Sequence, residues 1–150
     1  MAKDLAELEK TMQALTHGLA PAQRKNAASK AAKTLRKANA RREGQNVDPD
    51  GNPFAPRLRD KHGKVRTKAK MFRKLRQARH LKDKATADGF EVGFSSSADG
   101  RIASVHHYGL RDKVTKTSRT EVKYAARRLL GFSQADEEAI MDAVPKLVKL

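Results

Sequence analysis

Four groups of side chains in this 150-residue chain have types that chemistry requires. His106 and His107 could ligate a metal through imidazole nitrogens. Neighbours on a helix point about 100° apart, however, and no His, Asp or Glu stands four residues to either side of them. Asp50, with Glu121 and Lys123, imitates a metal-dependent nuclease, in which carboxylates hold Mg²⁺ and a lysine sits near the attacked phosphate. They lie far apart in the chain, and Asp50 is better explained by an Asp-Gly turn with Gly51. Asp48, Asp50 and Asn52 also begin like a calcium loop, but Gly51 comes too early and Arg59 stands where the bidentate glutamate belongs. Ser95, Ser96 and Ser97 lack the setting that exposes one serine beside a base. There is no cysteine, so neither a thiolate metal site nor a disulfide is available. No enzyme activity, metal or cofactor is expected.

The elements that must position these residues centre on Phe90 to Tyr108. Phe90, Val92 and Phe94 alternate with Glu91 and Gly93, the two-residue period of a half-buried strand. Residues 95–100 have turn chemistry. Ile102, Ala103, Val105 and His106 then recur at helical spacing until Gly109, which suits a left-handed helix end. Lys82–Thr86 and Phe90–Phe94 flank Ala87-Asp88-Gly89, predicting a hairpin. Residues 111–119 read as a polar loop, after which Val122 and Tyr124 alternate with Glu121 and Lys123 as a third strand.

Upstream, Leu5, Leu8, Met12, Leu15 and Leu19 form one helical stripe, predicting a helix over 3–17. Pro21 suits the first turn of a second, over 21–42, whose inner stripe is small: Ala28, Ala31, Leu35 and Ala38. Pro49, Pro53 and Pro56 make residues 44–56 a loop, in which Phe54 either anchors the loop to the core or faces a partner. Met71, Phe72, Leu75, Ala78 and Leu81 predict a third, amphipathic helix. Ser133 before Asp136, Glu137 and Glu138 reads as a helix N-cap with acids in the first turn. Ile140, Met141, Val144, Leu147 and Val148 supply that helix with an apolar face, and Pro145 is expected to kink or divide it. The expected fold is one α+β domain over 1–150, with a small antiparallel sheet at about residues 82–125 packed by helices from both ends. Its basic N-terminal half comprises a helical pair (1–44) and a loop (45–66).

The formal net charge of +16 is unevenly placed. Residues 20–42 hold eight Lys/Arg and no acid, and residues 57–84 hold thirteen against Asp60 and Asp83. Such segments call for nucleic acid or an acidic protein surface. No apolar run approaches the roughly 20 residues that span a bilayer, and the polar start lacks a signal peptide's apolar core, so a soluble intracellular product with no membrane partner is expected.

Pro49-Asp50-Gly51 in its proline-rich loop, KAKMFRKLR (68–76), EVGF (91–94), RIASVHHYGL (101–110) and ARRLLGFSQADEEAI (126–140) follow one another in an order that resembles the phage virion morphogenesis family of P2-like bacteriophages. The resemblance implies a structural virion protein that caps the head-proximal end of a contractile tail and lets the filled head join. Related tail terminators combine a small antiparallel sheet with helices and form rings, commonly hexameric. Implied partners are therefore further copies of the chain, tail tube and sheath proteins, and neck or connector proteins of the head, with non-specific contact to virion DNA. The implied location is the virion tail at its head-proximal end or neck, and the host cytoplasm during assembly. On this basis Arg73, Lys74, Arg101, His106, His107, Tyr108, Glu137 and Glu138 are expected at subunit or partner interfaces. Lys33, Arg36, Lys37, Arg41, Arg42, Lys68 and Lys70 are expected to contact phosphate or an acidic partner. The alternative is a basic nucleic-acid-binding protein acting independently of the tail, because charge alone does not distinguish phosphate from carboxylate.

Overall fold

A computed structural model of the chain describes residues 2–57 and 70–147. In chain order the elements are α1 (Ala2–Thr16), α2 (Pro21–Gln45), β1 (Leu81–Ala85), β2 (Phe90–Phe94), α3 (Ser97–Tyr108), β3 (Arg111–Lys113), β4 (Glu121–Lys123) and α4 (Gln134–Leu147). The α+β class expected from the sequence is what forms. Its strands make two separate antiparallel ribbons, β1 with β2 and β3 with β4.

The predicted hairpin closes where the turn residues stand. The Thr86 amide donates to the Gly89 carbonyl at 2.8 Å, and the Asp88 amide donates to the Thr86 hydroxyl at 3.2 Å. By contrast, the polar loop expected from residue 111 begins as strand β3, which pairs Arg111 with Lys123, Asp112 with Val122 and Lys113 with Glu121. With three charged residues, β3 has no apolar alternation to reveal it; Arg101 on α3 instead neutralises its inward-facing Asp112.

The third helix expected around Met71 to Leu81 does not form. Residues 71–80 are successive turns, with Phe72 in the left-handed region at φ 56°. The hydrogen bonds here mix four-residue (Arg76 to Phe72, Leu81 to Gln77) and three-residue (Gln77 to Lys74, His80 to Gln77) closures. Phe72 packs edge-on against both Phe54 and His106, so ring packing overrides the helical period of the segment. Its predicted beginning at Lys68 lies outside the described residues. Helix α4 runs through Pro145 to Leu147 without being divided; the proline forgoes the one bond that its missing amide would make to the Met141 carbonyl.

The chain forms two compact units: Met1–Ala38, Lys82–Gly93 and Phe132–Leu150 make one, and Asn39–Leu81 with Phe94–Gly131 make the other. In the first, Leu8, Ala31, Leu35 and Ile140 form the core, joined by Met12, Phe90, Val92, Phe132 and Met141. Arg36 on α2 bonds Asp83 on β1 at 2.7 Å. Helix α4 opens with a reciprocal cap in which the Ser133 amide donates to the Asp136 carboxylate and the Asp136 amide donates to the Ser133 hydroxyl. In the second unit Phe54, Leu75, Ala103 and Leu129 form the core, with Met71, Phe72, Phe94 and Leu130 against it. Phe54 is thus the anchor of its proline-rich loop.

Candidate partner-binding site in the second unit

The buried stripe of α2 continues through Ala31 and Leu35, four residues at a time, into Asn39 and Glu43. The apolar stripe read from the sequence steps from Leu35 to Ala38, beside Asn39, so both buried polar residues are missed; the four-residue spacing from Leu35 is the signal. Asn39 Oδ1 accepts from the Gly131 amide at 3.0 Å and from Arg42 Nη2 at 2.9 Å, and the same nitrogen donates to the Gly131 carbonyl at 2.9 Å. Glu43 is 0% exposed and neither of its carboxylate oxygens has a hydrogen-bond partner. Burial pushes its pKa up to about 8, against the opposing pull of the Arg76 and Arg42 charges.

The stretch Arg127 to Gly131 clamps the proline-rich loop. Arg127, 4% exposed, donates from Nε to the Ala55 carbonyl at 2.8 Å and from Nη2 to the Pro56 carbonyl at 2.6 Å. Arg128 Nη1 bonds Asp50 at 2.7 Å. Gly131 must remain glycine, since a Cβ there would lie 2.6 Å from the Pro49 ring. Asp50 is therefore bound within the fold. Asp48 closes its own turn, accepting from the Asp50 and Asn52 amides, both at 2.9 Å.

Helix α3 is fixed at both ends. Ser96 caps its start by accepting from the Asp99 amide, and donates its hydroxyl to Asp99 Oδ2 at 2.8 Å. Gly109 ends it at φ 67°, with no room for a Cβ, which would lie 2.9 Å from the Ala126 nitrogen. His80 Nδ1 also lies 2.8 Å from Asp99 Oδ2, and these bonds, His80 first and Ser96 second, hold the carboxyl below the usual aspartate range. The trio is a capping network, in which Ser96 faces the carboxylate, not the imidazole. His80 was not singled out from the sequence.

His107 Nδ1 accepts from the Leu129 amide at 3.2 Å, so that nitrogen is committed. Burial holds both neighbouring imidazoles below the usual histidine range, helped by Arg127 for His106 and by Arg128 for His107. Among the described residues no group of three His, Cys, Asp or Glu could hold a metal ion.

His106 instead belongs to a ladder of edge-on rings. Phe54 and Phe72 are 5.9 Å apart between centroids, Phe72 and His106 4.9 Å, and His106 and Tyr124 4.8 Å. Beside the ladder opens a cavity of about 280 Å³ lined by Arg57, Met71, Phe72, His106, Tyr124 and Arg127. Neither arginine was among the sequence candidates.

Of the residues expected at interfaces, Arg73, Lys74, Arg101, Tyr108 and Glu138 are exposed, Tyr108 at 69%, while His106, His107 and Glu137 are half-buried. Arg101 pairs with Asp112, and Glu138 accepts from Gln134 Nε2 at 3.0 Å. Of the expected phosphate or acidic-partner contacts, Lys33, Lys37, Arg41 and Lys70 are exposed. Arg36 and Arg42 are engaged by Asp83 and by Asn39 and Gly131, and Lys68 lies outside the described residues. In the second unit His106 meets Tyr124, and Arg127 lines the same cavity.

The buried residues of RIASVHHYGL and RRLLG, Ala103, Val105, Arg127 and Leu129, thus help set the conformation of the unit that holds the cavity. The sequence profile of the phage virion morphogenesis family matches residues 3–149. The chain belongs to that family. It is 34% identical over 145 residues to tail completion protein S of Escherichia phage P2, covering 94% of this chain and 95% of that one. No solved structure matches it.

Proposed function

We propose that this phage tail structural protein completes the contractile tail at its head-proximal end and makes it competent to join a filled head. It acts through protein–protein contacts, as a ring of identical subunits, without catalysis. The observation that carries this is likeness to tail completion protein S along nearly the full length of both chains. The side-chain chemistry supports it: Asp50 is engaged by Arg128, and Asp48 closes its own turn. The test is reconstitution. Purified protein added to heads and tails made in its absence should restore joined particles, and a protein that leaves them separate does not complete tails.

A second reading rests on Lys33, Lys37 and Arg41, which are exposed at four-residue intervals along α2 and make a row of cations. That row fits phosphate as well as carboxylate. An independent nucleic-acid binder would discriminate among duplexes at high salt, whereas contacts made only in the particle predict weak, sequence-blind and salt-sensitive binding.

A further inference from the structure

We propose that the cavity beside the aromatic ladder is a docking pocket for a partner protein segment that presents a carboxylate next to an aromatic or large aliphatic side chain. This rests on the tail-completion reading only in taking the partner to be a protein. Two guanidinium groups, Arg57 and Arg127, line the cavity, and among the described residues neither is paired with a carboxylate. Arg127 is nearly fully buried, and among the described residues its hydrogen-bond acceptors are the neutral carbonyls of Ala55 and Pro56. A buried cation without a counter-charge is costly to maintain, and a carboxylate arriving from outside would relieve that cost. His106 adds no compensating charge, and Asp112 near it is occupied by Arg101.

The remaining walls decide what carries the anion. Met71, Phe72, Tyr124 and the neutral His106 present apolar and aromatic surface, so the occupant needs an apolar body as well as a charged head. A volume near 280 Å³ is at the small end of ligand pockets, which run from about 300 Å³ upward, and suits a side chain better than a cofactor. Arginine forks recognise planar carboxylates with two parallel bonds. Duplex phosphates sit on a rigid outer backbone and bring no apolar body into such a recess. Charge complementarity and shape together select an acidic, apolar protein anchor.

The test uses the full chain and small probes, read by the NMR resonances of the His106, Phe72 and Tyr124 rings. The aryl carboxylate 3-phenylpropionate should shift these resonances saturably. Its amide should bind at least about tenfold more weakly, as should the carboxylate to Arg57→Gln, once a melting temperature close to the parent's has established that the variant folds. Equal binding of acid and amide, or no shift at the three rings, overturns the proposal. Stronger shifts with inorganic phosphate or oligothymidylate would assign the pocket to nucleic acid instead. Shifts that grow with protein concentration alone would assign it to a second copy. None of these results bears on reconstitution of joined particles, so failure of the pocket and failure of the tail role are separable.

Discussion

Glu43 is a carboxyl group held fully out of water. A carboxyl group with a folded pKa near 8, against 4.5 when exposed, binds a proton in the native state that the unfolded chain releases between those values. Its contribution to stability is complete below about pH 4.5 and is lost as pH rises through 8. Each pKa unit is worth about 1.4 kcal/mol, so the loss amounts to several kcal/mol at most. Glu43→Gln should therefore remove a slope from the stability–pH curve between those limits, making the variant more stable than the parent at alkaline pH and similar to it in acid. Denaturant unfolding across pH measures this; a parallel curve for the variant would mean that Glu43 is ionised in the folded protein. His106 and His107 act with the opposite sign, since their lowered folded values withdraw stability as pH falls below 6.5. Neither Glu43 nor Arg127 was legible as a buried residue in the sequence. Both stand in segments dominated by surface charge, and only the four-residue continuation from Leu35 distinguished Glu43.

Among the elements, helix α3 and the turn at residues 48–52 allow one comparison of two glycines with positive φ. Gly51 (φ 86°) has open space around its missing Cβ, whereas at Gly109 (φ 67°) a Cβ would meet the Ala126 nitrogen, the Tyr124 carbonyl and the Ala126 Cα. Alanine at either position costs about 1–2 kcal/mol for the left-handed backbone. Gly109→Ala should cost clearly more than Gly51→Ala, because backbone must also move, and equal losses in thermal unfolding would contradict this packing. Gly109 was recognisable beforehand because a helical period ended on it. Strand β2 was recognisable by alternation and α4 by its cap. The segment 71–80 misled because its apolar spacing suited a helix while Phe72 found better packing between Phe54 and His106 in a left-handed turn. Strand β3 was invisible for the opposite reason, with no apolar residue to betray it.

At the scale of the molecule, a ring needs a face on each subunit that complements a different face on the next. Glu138 and Asp142 are exposed at four-residue spacing on α4, and Arg73 and Lys74 are exposed in the turns before β1. Asp136 is not available for such a contact, being buried in the cap with Ser133. If these patches meet between subunits, Glu138→Lys with Asp142→Lys should weaken assembly at the tail end, and Arg73→Glu with Lys74→Glu should restore it. Counting joined particles for the parent, each pair and the combination gives the answer; additive losses in the combination would show that the patches do not meet. The family was legible in the order of motifs, whereas the cavity was not, because Arg57, Met71, His106, Tyr124 and Arg127 come from separate parts of the sequence.

The central claim, that the chain terminates and connects without catalysing, is tested most directly by electron microscopy of lysates from phage lacking it. DNA-filled heads and separate tails, some of abnormal length, are the predicted result, with joined virions restored when the chain is supplied in trans. Joined virions in its absence would contradict the account.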